Sequence, residues 1–357
     1  MSNNFFERFS RGQAYPIPKD ARIIDTIDMH TGGEPLRVII SGYPDIKADS
    51  LLEYRRILKD DFDELRTAIM YEPRGHADMY GALLLPPFNK DADCSVIFMH
   101  NEGYSTMCGH AVIAIMTLAM QMGWVDVKDD KASMTIEAPC GLIEAQGILK
   151  NGEIQASFEC VPSFVTALNQ QVYVESLKQN VSYDIAYGGA FYAYVDTSEL
   201  DISLTPDNHS YLAALGDEIK QAVIKSNSTS IVHPFETDLS FLYGTIFYTA
   251  ALGQADSRNV CIFADKEVDR SPTGSGVSGR MALHHKKGEL QLNEAMKIES
   301  IIGSTFEGQA LKCIDYGPAG NQIEAVIPKV NGNAKVCGIN RLILDPSDEL
   351  NSGFLLK

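Results

Sequence analysis

The chain has 357 residues, 45% of them hydrophobic and 22% charged, and carries a formal net charge of −17. That length can hold two hydrophobic cores. The acidic balance argues against nucleic acid and anionic membrane surfaces as partners, because both are polyanions, but not against a small anionic substrate that meets only local charge. The first twenty residues, MSNNFFERFSRGQAYPIPKD, hold no apolar core segment, so no signal peptide is expected, and no stretch approaches the roughly 18 apolar residues of a membrane span. Residues 21–41, ARIIDTIDMHTGGEPLRVIIS, predict a hairpin turning at Gly32-Gly33. Residues 49–70 place apolar side chains at helical spacing, and so do residues 210–226. Turn signals at Cys140-Gly141 and Asn151-Gly152 divide residues 133–160 into strands. A further strand-rich block runs from SYDIAYGGAFYAYVD through SFLYGTIFYTAAL and SRNVCIFAD to the final RLILD.

Two segments read as helices of another kind. GHAVIAIMTLAMQMGW, residues 109–124, is apolar almost all round and is expected to be wrapped by other structure. GSGVSGRMALHHKKG, residues 274–288, begins with small residues and ends with bases and a glycine, which suit a helix C-terminus. Each follows a strand and a short polar loop. Their starts lie 165 residues apart, close to half the chain, which suggests an internal duplication with a boundary near Val161-Pro162-Ser163.

Cys108 stands immediately before the first of these helices, where bare N–H groups and the helix dipole favour a thiolate. Gly109 permits close backbone approach, and His110 adds a second titratable group. At the second start, Gly274 and Gly276 follow Pro272 and Thr273, a turn into a helix whose first N–H groups are free for an anion. The nucleotide-binding pattern G-x-x-x-x-G-K-[ST] is absent. Two glycine-started helices at matching places could aim at one carboxylate from both sides. Asp269 and Arg270 read either as part of that site or as a solvated pair. His30 and Glu34 read as parts of a structural hairpin, EPRGHADMYGA (residues 72–82) as a charged loop that could line a pocket, and His284-His285 as surface. His76, His100 and His233 show no metal-ligand spacing. The seven cysteines are scattered without a C-x-x-C, a pattern of reduced thiols in a cytoplasmic protein rather than of disulfides or a zinc site.

Taken together, DMHTGGEPLRVI, EPRGHADMYGA, MCGHAVIA and DRSPTGSGV resemble the proline racemase family, from about Ile23 to the C-terminus. The resemblance implies an α/β (α+β) fold of two similar domains. Each would be a curled mixed β-sheet or barrel around a central helix, as in diaminopimelate epimerase, with the active site between them. The expected division is residues 1–162 with about 343–357, carrying Cys108, and residues 163–342, carrying Asp269 and Thr273. In the racemases two cysteines face each other across the substrate. The first maps onto Cys108, but the second position here is Thr273. A hydroxyl cannot match a thiolate as a base, so two-base inversion is lost while one-base chemistry stays open.

Cysteine followed by threonine, with Ser275 and Val277 after it, resembles the trans-3-hydroxy-L-proline dehydratases of the family. The implied site has Cys108 as general base and the N–H groups of Gly109, His110, Gly274 and Ser275 on the substrate carboxylate. Asp269 and His110 would hold the ring nitrogen. Neither metal nor organic cofactor is implied, the expected partner is hydroxyproline, and the reading is compatible with a homodimer. The alternatives are a 4-hydroxyproline epimerase or proline racemase and, in another class, a non-catalytic amino-acid binding protein.

Overall fold

The computed structural model describes residues 15–198 and 200–356. The absence of a signal peptide was read from the first twenty residues, most of which lie outside the described residues.

In the first half the elements are β1 (Arg22–Thr31), β2 (Glu34–Ser41), α1 (Leu51–Asp61), α2 (Asp63–Met70), β3 (Tyr80–Leu85), β4 (Cys94–His100), β5 (Gly103–Ser105), α3 (Gly109–Met122), β6 (Lys131–Ala138), β7 (Gly141–Lys150) and β8 (Glu153–Glu159). The second half holds β9 (Ser163–Val174), β10 (Gln179–Tyr187), β11 (Phe191–Asp196), α4 (His209–Asn227), β12 (Leu242–Thr249), β13 (Ser257–Phe263), β14 (Glu267–Val268), α5 (Gly274–Lys286), β15 (Ala295–Glu299), β16 (Thr305–Tyr316), β17 (Ile323–Gly332) and β18 (Ala334–Leu344).

The turns at Gly32-Gly33, Cys140-Gly141 and Asn151-Gly152 fall where the sequence places them. The helical pattern over 49–70 is broken at Phe62, whose φ of −137° closes α1 and opens α2. Ser50 caps α1 by accepting from the Glu53 N–H.

Pairing shows the duplication directly. β1 and β2 run antiparallel, β2 and β3 parallel, β3 and β4 antiparallel. β10 and β11 run antiparallel, β11 and β12 parallel, β12 and β13 antiparallel. Each series then makes a short antiparallel return (β4–β5, β13–β14), passes through its helix, and lays the next strand parallel to the one before the return, with Cys94 opposite Ile136 and Ser257 opposite Ile298. β18 comes back to pair with β1 from Arg22–Leu344 to Thr31–Ala334, and β17 pairs with β8 and β9, joining the halves.

The helices α3 and α5 are the axles of this architecture. Every residue from Gly109 to Ala119 is buried, as is every residue from Gly274 to Leu283. A helix covered on all sides needs no polar face, which is why these two segments lack the alternation seen in α1 and α4. No described helix is long and apolar enough to cross a membrane.

Candidate active site

Cys108 is the N-cap of α3, with extended backbone (φ −146°, ψ 100°), and its Sγ accepts from the Ala111 N–H at 3.4 Å. Thr273 is the N-cap of α5. The two starts touch: a Cβ built on Gly109 would lie 2.6 Å from the Gly274 Cα, and one built on Gly274 would lie 2.6 Å from the Gly109 Cα. Only glycine permits that approach. It brings two helix N-termini, each with unsatisfied N–H groups and a positive dipole end, to one place. A carboxylate is the natural occupant.

Thr273 departs from the capping role. Its φ of 68° lies in the left-handed region, an outlier for a β-branched residue. A capping side chain needs extended backbone, as at Cys108, so Thr273 makes no cap hydrogen bond and its buried Oγ1 has no partner. The conformation is held from outside the residue. Its N–H donates to Ser271 Oγ at 3.1 Å, and Asn259 Nδ2 donates to the Pro272 carbonyl at 3.1 Å. Asn259 Oδ1 in turn accepts from the fully buried Arg280 at 2.8 Å.

Between the helix starts lies a small cavity of about 20 Å³. Cys108, Gly109 and His110 line it from the first half, and Asp269, Thr273, Gly274 and Ser275 from the second. The structure thus brings together all seven residues singled out in the sequence. Its walls are Tyr80, Tyr192, Tyr243 and Phe263, with Met107 and Cys261. Of these six only Tyr80 falls in a segment, residues 72–82, expected to line a pocket. The others sit on or beside strands and read as ordinary core, and only their convergence from both halves makes a pocket. A larger cavity of about 940 Å³, beside Trp124 and Met134, contains none of these groups.

Burial dominates the electrostatics. It pushes the Cys108 thiol well up; the Ala111 N–H opposes this, the Asp269 charge adds to it, the Tyr80 hydroxyl opposes it and Glu34 adds again. Burial thus opposes what the helix start favours at Cys108. A cationic substrate amine would supply the missing positive charge.

Burial also holds the His110 imidazole down to about 4, against the pull of Asp269. His110 Nδ1 lies 3.2 Å from Cys108 Sγ, so its ring addresses the thiol. Asp269 is 4% exposed, and its Oδ1 accepts from the Ser271 N–H at 2.7 Å. It is not one half of a solvated pair, because Arg270 turns instead to Asp78 at 2.8 Å.

Several other expectations change. Glu34 is more than a hairpin residue: it is fully buried, and its Oε2 accepts from the Arg270 N–H at 2.7 Å beside Asp269. Burial and then Asp269 push its carboxyl well up, against the Arg270 charge and N–H. The hairpin itself is tied to α3 by Thr31 Oγ1, which donates to the His110 carbonyl at 2.8 Å. His30 is exposed. The loop at 72–82 reaches the site through Tyr80 and, by way of Arg270, through Asp78, while His76 is exposed. His284 is not a surface residue; it is wedged between Arg280, at 2.7 Å, and Glu289, at 2.6 Å. His100 is buried against Glu267 at 3.3 Å, and His233 packs among Phe164, Tyr187 and Tyr316. Among the described residues no three His, Cys, Asp or Glu side chains are grouped to hold a metal ion.

A duplicated mixed sheet around two central helices, whose glycine starts meet beside a buried thiol, is the architecture on which this site is built. The chain belongs to the proline racemase family, whose model matches residues 26–355. It is 49% identical to a Colwellia psychrerythraea protein described as a trans-3-hydroxy-L-proline dehydratase, over 94% of this chain and 93% of that one. It is 42% identical to a Burkholderia multivorans 3-hydroxyproline 2-epimerase, over 95% of this chain and 100% of that one. The crystal structure of an Agrobacterium vitis hydroxyproline epimerase with bound trans-4-hydroxy-L-proline matches at 30% identity and a TM-score of 0.85, covering 96% of this chain and 97% of that one.

Proposed function

We propose that the protein is a trans-3-hydroxy-L-proline dehydratase, a hydro-lyase that converts its substrate to Δ1-pyrroline-2-carboxylate. The observation that carries this reading is the unequal pair at the helix starts, a thiol at Cys108 and a hydroxyl at Thr273. One side of the ring meets a group that can become a base; the other meets a group that cannot. The substrate carboxylate rests on the N–H groups of Gly109, His110, Gly274 and Ser275. Charge builds on it as the α-carbanion forms, so these donors act most strongly in the transition state. Asp269 holds the ring nitrogen in its cationic form, which acidifies the α-proton and lowers the thiol. His110, directed at Sγ, positions Cys108 for proton transfer and adds an N–H beneath the carboxylate. Cys108 takes the proton, the C3 hydroxyl leaves, and the resulting enamine tautomerises to the cyclic imine.

The same reading divides the chain near residue 162, with the return to the first unit moved from about residue 343 to Ala334, where β18 begins to lie along β1. A cytoplasmic setting is supported by seven cysteines that are all free.

The test is incubation of the pure protein with trans-3-hydroxy-L-proline, trans-4-hydroxy-L-proline and L-proline. Imine from the first is the expected outcome. Change of optical rotation without imine would make the protein an epimerase, the description its Burkholderia relative carries. Binding without change would make it a binding protein.

A further inference from the structure

We propose that Tyr80 is the acid that protonates the departing hydroxyl, and that it recovers its proton from Cys108. The inference rests on the dehydratase reading and adds the group that reading leaves open. In the trans isomer the hydroxyl and carboxylate lie on opposite faces of the ring, so the α-hydrogen shares the hydroxyl's face. The base and the acid must then stand on one side, that of Cys108. Thr273 belongs to the opposite helix start and faces the other side.

Tyr80 is the phenol on the correct side. It opens β3, in the same half as Cys108, and lines the same cavity. Its ring meets the His110 ring edge-on, with centroids 4.9 Å apart, and the His110 imidazole is itself 3.2 Å from Sγ. The Tyr80 hydroxyl is hydrogen-bonded to Ser105 Oγ, a fully enclosed partner that orients it. That hydroxyl also works against burial in holding down the Cys108 thiol, which places the two groups within electrostatic reach. Burial keeps the phenol protonated, so it enters the reaction as a donor. Tyr243, which also lines the cavity, comes from the second half, and its hydroxyl interacts with that of Tyr80.

The step balances within the site. The Cα–H bond breaks and an S–H bond forms on Cys108. The freed electron pair makes the C2–C3 double bond while the C3–O bond breaks. The leaving oxygen takes the Tyr80 proton and departs as water. The phenolate then takes the proton from Cys108, restoring thiolate and phenol. No outside acid, base or oxidant is used, and the substrate's own α-proton ends in the enzyme's next charge of acid.

The test is Tyr80→Phe, assayed with trans-3-hydroxy-L-proline in deuterium oxide. Imine formation should fall by about 10²- to 10⁴-fold, the range of a positioned acid. Unreacted substrate should nevertheless acquire α-deuterium with its configuration kept, because Cys108 still removes and returns the proton. Ser105→Ala, which leaves the ring in place, should lower imine formation by a smaller factor, on the order of tenfold, with exchange unchanged. Imine formation within a few-fold of the parent in Tyr80→Phe would overturn the assignment. So would loss of imine and exchange together, or a loss confined to Tyr243→Phe. A parent enzyme that forms no imine at all would instead overturn the dehydratase reading.

Discussion

Gly109→Ala isolates the contact on which the site depends. The added Cβ would sit 2.6 Å from the Gly274 Cα and 2.9 Å from its carbonyl carbon, where ordinary van der Waals contact begins at 3.4 Å. The obstacle is backbone, so it cannot be relieved by a rotamer change. The two helix starts must part by the difference, about 0.8 Å, or the Phe158 ring, 2.8 Å away, must move as well. A displacement near 1 Å between a base and its target costs on the order of 10² in rate, equivalent to about 2.7 kcal/mol of transition-state stabilisation. Alanine is a better helix former than glycine by about 1 kcal/mol, so α3 itself should not weaken. The assay is imine formation under saturating substrate, with helicity and thermal unfolding followed alongside. An alanine variant that turns over like the parent would refute the claim that the two helix starts must meet to make the active state.

Cys108→Ser should lower turnover by about 10² or more, while Cys94→Ala and Cys140→Ala, outside the cavity, keep most of the activity; an active serine variant would move the base to another group. Thr273→Cys should create a two-thiol site, so that L-proline in deuterium oxide yields α-deuterated D-proline, whereas the parent yields at most the deuterated L form. A variant that binds L-proline without forming any D-proline would show that position 273 does not face the ring. Thr273→Val removes a buried hydroxyl that has no partner, so stability should hold or rise, by up to about 1 kcal/mol, and a substantial fraction of dehydration should survive; activity lost as fully as in Cys108→Ser would make Thr273 the acid. Buried His110 is held down to about 4, below an unfolded imidazole, so the unfolded chain binds protons that the folded site refuses. Stability should therefore fall as pH drops from about 6.5 toward 4, and His110→Asn should flatten that slope in thermal melts; an unchanged slope would assign the effect to other groups.

Local chemistry was written into the chain. The spacing of Cys108 and Thr273, the glycines that follow them and the apolar runs behind them specify two buried helices with bare starts. These features depend only on neighbours in sequence: turn conformations, helix caps and side-chain size. That Thr273 stands where the racemases carry a second thiol is what the family resemblance implies, not local chemistry. What sequence order could not express was which surfaces the duplicated halves turn toward one another. Tyr192, Tyr243 and Phe263 look like strand residues bound for a core, and only the association of the two halves leaves a void between them. Glu34 looks like a hairpin carboxylate until residues more than two hundred positions away enclose it, where burial and Asp269 push its carboxyl up against the opposing pull of Arg270. The protonation of Cys108 belongs to the same category. A helix start favours a thiolate through a dipole that acts over one turn, whereas desolvation is set by everything packed around the sulfur, and here the second effect is the larger.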